Sequence, residues 1–190
     1  ITAYLISLPD AESLGRVYDE LSSEPLLATT TTAVLSDLRF SDALHSCRVR
    51  EGEFRFVSEG ECSWVRLIGS KLDQDRTASN LGFDRKTNTL AAGAQKRVNQ
   101  NWSAGFGFSI DTSTLHVADS TRSEGNQYAL GVITKRNLGA DAFTASLNLG
   151  YGPYDTTRLV NLTGPVVASS RQKVGLASVH MRWSRDYEHK

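Results

Sequence analysis

From Trp102 to Asp111 the chain alternates without a break. Trp102, Ala104, Phe106, Phe108 and Ile110 fall on one side, and Ser103, Gly105, Gly107, Ser109 and Asp111 on the other. Because successive side chains of a strand point to opposite faces, this spacing predicts a strand with one apolar face and one small, polar face. The pattern returns between Ala142 and Gly152, where Phe143, Ala145, Leu147, Leu149 and Tyr151 alternate with Thr144, Ser146, Asn148 and Gly150. Tyr128, Leu130 and Val132 against Gln127, Ala129 and Gly131, and Ala177, Val179, Met181 and Trp183 against Ser178, His180 and Arg182, add two shorter examples. Trp64 to Asp75 and Thr87 to Arg97 bring the set to about six strands, each about the 9–11 residues that cross a bilayer at a tilt.

The connections alternate too. Val98 to Asn101 and Asn137 to Asp141 read as short turns, whereas Thr112 to Gly125 and Pro153 to Gln172 read as long polar loops. Short turns alternating with long loops are the expected pattern of an outer-membrane barrel. A soluble β-sandwich or adhesin-like binding module also alternates and is the competing architecture. Its polar faces would meet bulk water and are usually rich in Lys, Glu and Thr, whereas the polar faces of the two clearest strands carry Gly, Ser, Asn and Thr, and small residues suit a crowded interior or a close backbone. Trp102 near a strand start, and Tyr151 and Trp183 near strand ends, are expected as interfacial aromatic girdles.

Before Ser63 the period is helical. Asp10 is placed to cap a helix whose Leu14, Val17, Tyr18 and Leu21 share one face, and Ser22 to Pro25 stop it and start another. The second helix is expected from about Pro25 to His45, with Leu27, Leu35, Leu38 and Leu44 among small and polar residues. Its four consecutive threonines, Thr29 to Thr32, lower its intrinsic propensity, so its stability must come from its surroundings.

Composition adds exclusions. The chain has 190 residues, with 21 basic against 21 acidic side chains and no net charge, so no global field favours nucleic acid as partner. No apolar run approaches the length of a membrane-spanning helix, but strand periodicity hides lipid-facing residues in the average. The chain starts at Ile1 without signal-peptide features and is read as an internal piece of a longer precursor. Cys47 and Cys62 are either a disulfide closing a short loop, which fits an oxidising compartment, or two buried thiols. Neither has metal-site spacing. No nucleophile elbow, zinc-protease motif or dinucleotide fingerprint occurs, so no catalytic residue, metal or cofactor is assigned.

Five runs carry a resemblance: Leu21 to Pro25, Arg39 to Cys47, Gly60 to Arg66, Arg122 to Tyr128 and Gly150 to Arg158. In this order they resemble the end of the linker and the translocator domain of bacterial autotransporters, the type V secretion proteins. The resemblance implies a secreted passenger, a helical linker and a twelve-stranded outer-membrane barrel, with outer-membrane lipid, the chain's own passenger and the barrel assembly machinery as partners. It divides the chain into a helical linker region over 1–46, a disulfide-bracketed junction over 47–62 and the first half of the barrel over 63–190. The expected fold is therefore mainly β, a partial antiparallel outer-membrane β-barrel of about six of twelve strands preceded by N-terminal α-helices.

On this reading Pro25 to Ser46 enters the barrel lumen, and Ala28, Thr29, Thr32, Ala33 and Ser36 lie close to its wall. Lumen-facing candidates are Ser103, Asp111, Thr144, Ser146, Asn148, His180 and Arg182. Lipid-facing candidates are Phe106, Phe108, Leu147, Leu149, Val179 and Met181. Some members of the family cut their own linker with carboxylates and a neighbouring asparagine; here the linker holds Asp37 and Asp42 but no asparagine lies between Ile1 and Cys47, so that chemistry is not expected. The ending Asp186 to Lys190 lacks the terminal aromatic strand of such barrels, which reads as an absent second half.

Overall fold

A computed structural model describes residues 10–47, 61–77, 80–118, 120–161 and 164–185. Two helices, α1 (Ala11–Leu21) and α2 (Glu24–Leu44), precede six strands: β1 (Cys62–Gln74), β2 (Phe83–Arg97), β3 (Trp102–Val117), β4 (Thr121–Leu138), β5 (Asp141–Asn161) and β6 (Pro165–Arg185). The strands form one antiparallel sheet in sequence order. A sandwich would need a second sheet packed on the first; instead, the sheet packs on α2, which touches β2 through β6.

The strands are longer than their alternating cores suggest. β3 runs on to Val117 and β4 begins at Thr121; β5 runs to Asn161 and β6 begins at Pro165. The expected long loops at Thr112–Gly125 and Pro153–Gln172 are therefore mostly paired strand. Thr112, Thr114, Thr156 and Thr157 continue the alternation with β-branched residues that suit a pleated surface, although they are polar. Tyr151 accordingly sits in the middle of β5, not near its end. At the opposite edge of the sheet only Gly139 and Ala140 separate β4 from β5, with Gly139 at φ +63°, a conformation costly for other residues.

The α1 cap is as expected: the Asp10 carboxylate accepts from the Ser13 N–H at 2.7 Å. Of its apolar face Val17 is buried, whereas Tyr18 stays exposed. In α2 all four threonine hydroxyls donate to the carbonyl four residues earlier: Thr29 to Pro25 at 2.9 Å, Thr30 to Leu26 at 3.2 Å, Thr31 to Leu27 at 3.0 Å and Thr32 to Ala28 at 2.9 Å. Their side chains thus need no outside partner, and two of them, Thr29 and Thr32, are buried against the sheet.

The buried stripe of α2 is Pro25, Thr29, Thr32, Ala33, Ser36, Asp37, Phe40, Ser41, Ala43 and Leu44. Leu44 is the only leucine in it. Leu26, Leu27, Val34 and Leu38 point away from the sheet and are exposed. Leu27 and Leu38 thus lie outside the buried face that residue type predicts, because the sheet selects small residues that let the helix approach closely.

Residues 48–60 of the expected junction and the ending 186–190 lie outside the described residues. The two ends of the junction are joined: Cys47 and Cys62 form a disulfide with Cα atoms 5.8 Å apart.

Candidate functional site, the helix seat

The register brings one small-residue row across the helix-bearing face. Trp64 on β1 pairs with Gly93, Gly93 with Gly107, Gly107 with Gly131, Gly131 with Asn148, and Asn148 with Ser178 on β6. A Cβ on Gly131 would lie 2.5 Å from Leu44 Cδ1 and 2.9 Å from Phe40 Cε1; one on Gly107 would lie 2.8 Å from Leu44 Cδ2; one on Gly93 would lie 2.6 Å from the Trp64 ring. The glycines are therefore the space that Leu44, Phe40 and Trp64 occupy, joined there by Ala91, Ala129 and Ile133. Removing three Cβ atoms from one row cuts the groove in which the end of α2 lies.

At the β6 end of the same row the contacts turn polar. Ser178 Oγ donates to Asp37 Oδ2 at 2.7 Å, and His180 Nε2 lies 3.3 Å from the same oxygen and 3.1 Å from Ser178 Oγ. Asn148 Nδ2 donates to Ser178 Oγ at 3.4 Å. The three residue types are those of a nucleophilic triad, but the arrangement is not. The serine hydroxyl is directed at the carboxylate, and the imidazole nitrogen near it also faces that carboxylate, so no base is placed to take the serine proton. The cluster anchors the helix. Charge-assisted hydrogen bonds of this kind each contribute about 1.5–3 kcal/mol.

Further tethers run along α2. Gln127 Nε2 donates to the Ala33 carbonyl at 3.2 Å while its Oε1 accepts from the Tyr154 hydroxyl at 3.1 Å. Arg39 Nη1 donates to Ser70 Oγ at 2.7 Å, and Arg182 lies 3.2 Å from Asp42. At the start of the helix both Glu24 carboxylate oxygens accept from the Leu81 N–H, at 3.0 and 3.1 Å. Arg158 donates to the Ser22 carbonyl at 2.9 Å and the Asp19 carbonyl at 3.1 Å, closing the end of α1 where the helix dipole favours a cation.

All seven lumen candidates lie on this helix-bearing face. Ser103, Asp111, Ser146 and Asn148 are buried, Thr144 and His180 half-buried, and Arg182 more exposed. Asn148 and His180 meet at the Asp37 anchor, and Asp111 accepts from Thr89. Ser103 sits at the far end of β3 and joins none of these groups through its side chain. Glycines 93, 107 and 131, Trp64, Ser178, Gln127 and the fully buried Arg85 are not among the lumen-facing candidates of the sequence. Only the cross-strand register lines them up, and a single strand's periodicity does not contain it. Among the described residues no group of three or more His, Cys, Asp or Glu side chains converges as a metal site.

The opposite face carries an apolar band that is widest on β3 to β6 and continues onto β2 and β1 through Leu90, Ala92, Ala94, Val65 and Leu67, with Lys96 beside Ala104 at its margin. Successive cross-strand rows on β3 to β6 read Trp102, Arg136, Phe143, Trp183; then Ala104, Thr134, Ala145, Met181; then Phe106, Val132, Leu147, Val179; then Phe108, Leu130, Leu149, Ala177; then Ile110, Tyr128, Tyr151, Gly175. Phe106 is 65% exposed, Leu130 68% and Met181 82%. Phe143 and Trp183 stack with centroids 6.4 Å apart, and the Arg136 guanidinium lies 5.3 Å from the Trp102 ring centre. From Phe143 to Tyr151 the band measures about 26 Å along the strand, and beyond it come Thr112, Asn126 and Lys173. An apolar band of about 25 Å between aromatic rows is what the outer surface of a membrane-spanning barrel is expected to carry.

The sequence matches the autotransporter β-domain family over residues 63–188, and the chain belongs to that family. No curated protein matches it. Family membership supports a translocator role in general and implies an outer-membrane setting with a passenger. No described helix is long and apolar enough to cross a membrane, which says nothing of crossing by strands.

Proposed function

We propose that this chain anchors a passenger in the bacterial outer membrane and serves its export to the cell surface, with α2 as the linker threaded along the inside of the barrel wall. One observation carries the reading. The same six strands present an apolar, aromatic-bounded band on one face and a small, hydrogen-bonding face on the other, and a single helix fills the second. The lumen-facing roles of Ser103, Asp111, Thr144, Ser146, Asn148, His180 and Arg182 follow from their place beside that helix. The division into linker (1–46), junction (47–62) and barrel (63–190) is part of the same proposal.

The edges β1 and β6 each pair on one side only among the described residues. In hydrocarbon each unpaired backbone group costs several kcal/mol, so both edges need further strands. Closure of the twelve-stranded barrel implied by the family would also cover Leu27, Val34 and Leu38 on the far side of α2.

The test places a carboxylate on either face of β5 in the complete reading frame. Leu147→Asp sets a charge in the middle of the apolar band; Ser146→Asp sets one opposite His180. The expected result is loss of outer-membrane assembly and passenger display for Leu147→Asp with both largely retained for Ser146→Asp, because charges on the lipid face are costly at membrane depth. Equal tolerance at the two positions contradicts the face assignment.

A further inference from the structure

At the edge of the sheet that holds the Gly139–Ala140 turn, the outer face carries a groove of about 700 Å³ lined by ten residues, Trp102, Arg136, Phe143, Met181 and Trp183 among them. Its rim is a single cross-strand row, with Trp102 opposite Arg136, Arg136 opposite Phe143, and Phe143 opposite Trp183. The next row inward holds Thr134 and Ala145, too short to fill the space between the aromatic rim and the Val132, Leu147 and Val179 row beyond. The groove is thus open to the aromatic edge at one end and continuous with the apolar band at the other.

The charges around it are unequal. Arg182 is engaged by Asp42 at 3.2 Å, and Arg185 lies 3.8 Å from Asp141, whose carboxylate also accepts from the Trp183 indole N–H at 3.1 Å. Arg136 has no carboxylate within ion-pair distance among the described residues. Its guanidinium lies over the Trp102 ring, 5.3 Å from the ring centre, and Arg136 lines the groove. An anchored guanidinium in the aromatic row, with an apolar channel leading away from it, has the shape of a headgroup site. The cation recognises a phosphate through paired N–H donors, and the channel takes hydrocarbon.

We propose that this groove binds one anionic glycerophospholipid. The phosphate sits on Arg136, and an acyl chain runs over Ala145 and Met181 toward Leu147 and Val179. The surplus positive charge selects a headgroup of net negative charge over a zwitterionic one, whose own cation would face Arg136. The site rests on the membrane-spanning reading of the sheet and adds to it a lipid specificity at one end of the band.

The test uses the product of the complete reading frame, assembled by cells and transferred to phosphatidylcholine vesicles. The vesicles contain a minor fraction of either phosphatidylglycerol or phosphatidylcholine brominated on its acyl chains, which quenches tryptophan on contact. A single basic side chain at a membrane surface favours an anionic lipid by about fivefold, so brominated phosphatidylglycerol is expected to quench more than its share by about that factor. Arg136→Gln is expected to bring the two lipids to parity while quenching persists, and Arg136→Lys to keep part of the preference. Equal quenching by both lipids in the unaltered chain, or a preference that survives Arg136→Gln, overturns the site alone. Absence of quenching by either lipid overturns the membrane-spanning reading and the site with it.

Discussion

Asp37 is the side chain on which the helix seat turns. It is almost wholly buried, and one of its oxygens receives both Ser178 and His180. Asp37→Ala leaves two half-buried polar groups on β6, Ser178 and His180, without their acceptor. Leaving such groups unsatisfied costs about 1–3 kcal/mol, and a urea titration of the full chain in bilayers is expected to show that loss. Gly131 is the matching test of the apolar end. A Cβ there meets Leu44 and Phe40 inside contact distance, so Gly131→Ala is expected to destabilise by about 1–3 kcal/mol, as overpacked cores do. Adding Leu44→Ala removes one of the obstructing side chains. The double variant is therefore expected to lose less than the sum of the two single ones, measured by the same titration. Asn148 and His180 were legible in the sequence as members of a polar face. Their convergence on Asp37 was not, because the Asp37–Ser178 contact spans 141 residues and depends on which strands neighbour the helix. The glycines were legible only as small strand residues, and register alone turns three of them into one groove.

Among the elements, α2 shows how an intrinsically poor helix is made to persist. Its threonines satisfy their own hydroxyls on the preceding turn, its end is seated on the glycine row, and Glu24 ties its start to Leu81. The Cys47–Cys62 bond then fixes where the helix hands over to β1. A disulfide closing a loop of about 15 residues contributes about 3 kcal/mol by restricting the unfolded chain. Cys47→Ser is thus expected to lower stability by about that amount and to abolish the sensitivity of the unfolding midpoint to reductant. An unchanged midpoint would mean the tie is dispensable to the seat. The bounds of α2 were readable to within a residue, since Pro25 suits a first turn and the small-residue pattern stops near His45. Its buried face was not readable. The leucines that suggest a core face look away from the sheet, because a wall lined with Gly, Ser and Asn selects for close approach over apolar area. The strand ends were misplaced for a related reason: polar, β-branched pairs such as Thr114 with Glu124 continue the ladder after the apolar alternation has ended.

For the whole molecule, the two faces of one sheet carry the account. The apolar rows were legible because alternation is a local property of each strand, and Trp102 and Trp183 fall in one cross-strand row at one end of the band. The extensions carry β4 on from Tyr128 to Thr121 and β5 from Tyr151 to Asn161, beyond the band, where Arg171 pairs with Asp155 and Arg122 with Glu124 in water. The central claim is that odd-numbered positions of β5 from Phe143 to Tyr151 meet lipid while Thr144, Ser146 and Asn148 face the helix. Spin labels placed singly at each of these positions, in the full chain in bilayers, test it most directly by their collision rates with membrane-soluble oxygen and with a water-soluble nickel complex. The expected result is a period of two, with oxygen exposure high and nickel exposure low at 145, 147 and 149, and oxygen exposure low at 144, 146 and 148. Nickel exposure at 147 and 149 equal to that of a label at Lys173, beyond the band, would contradict it.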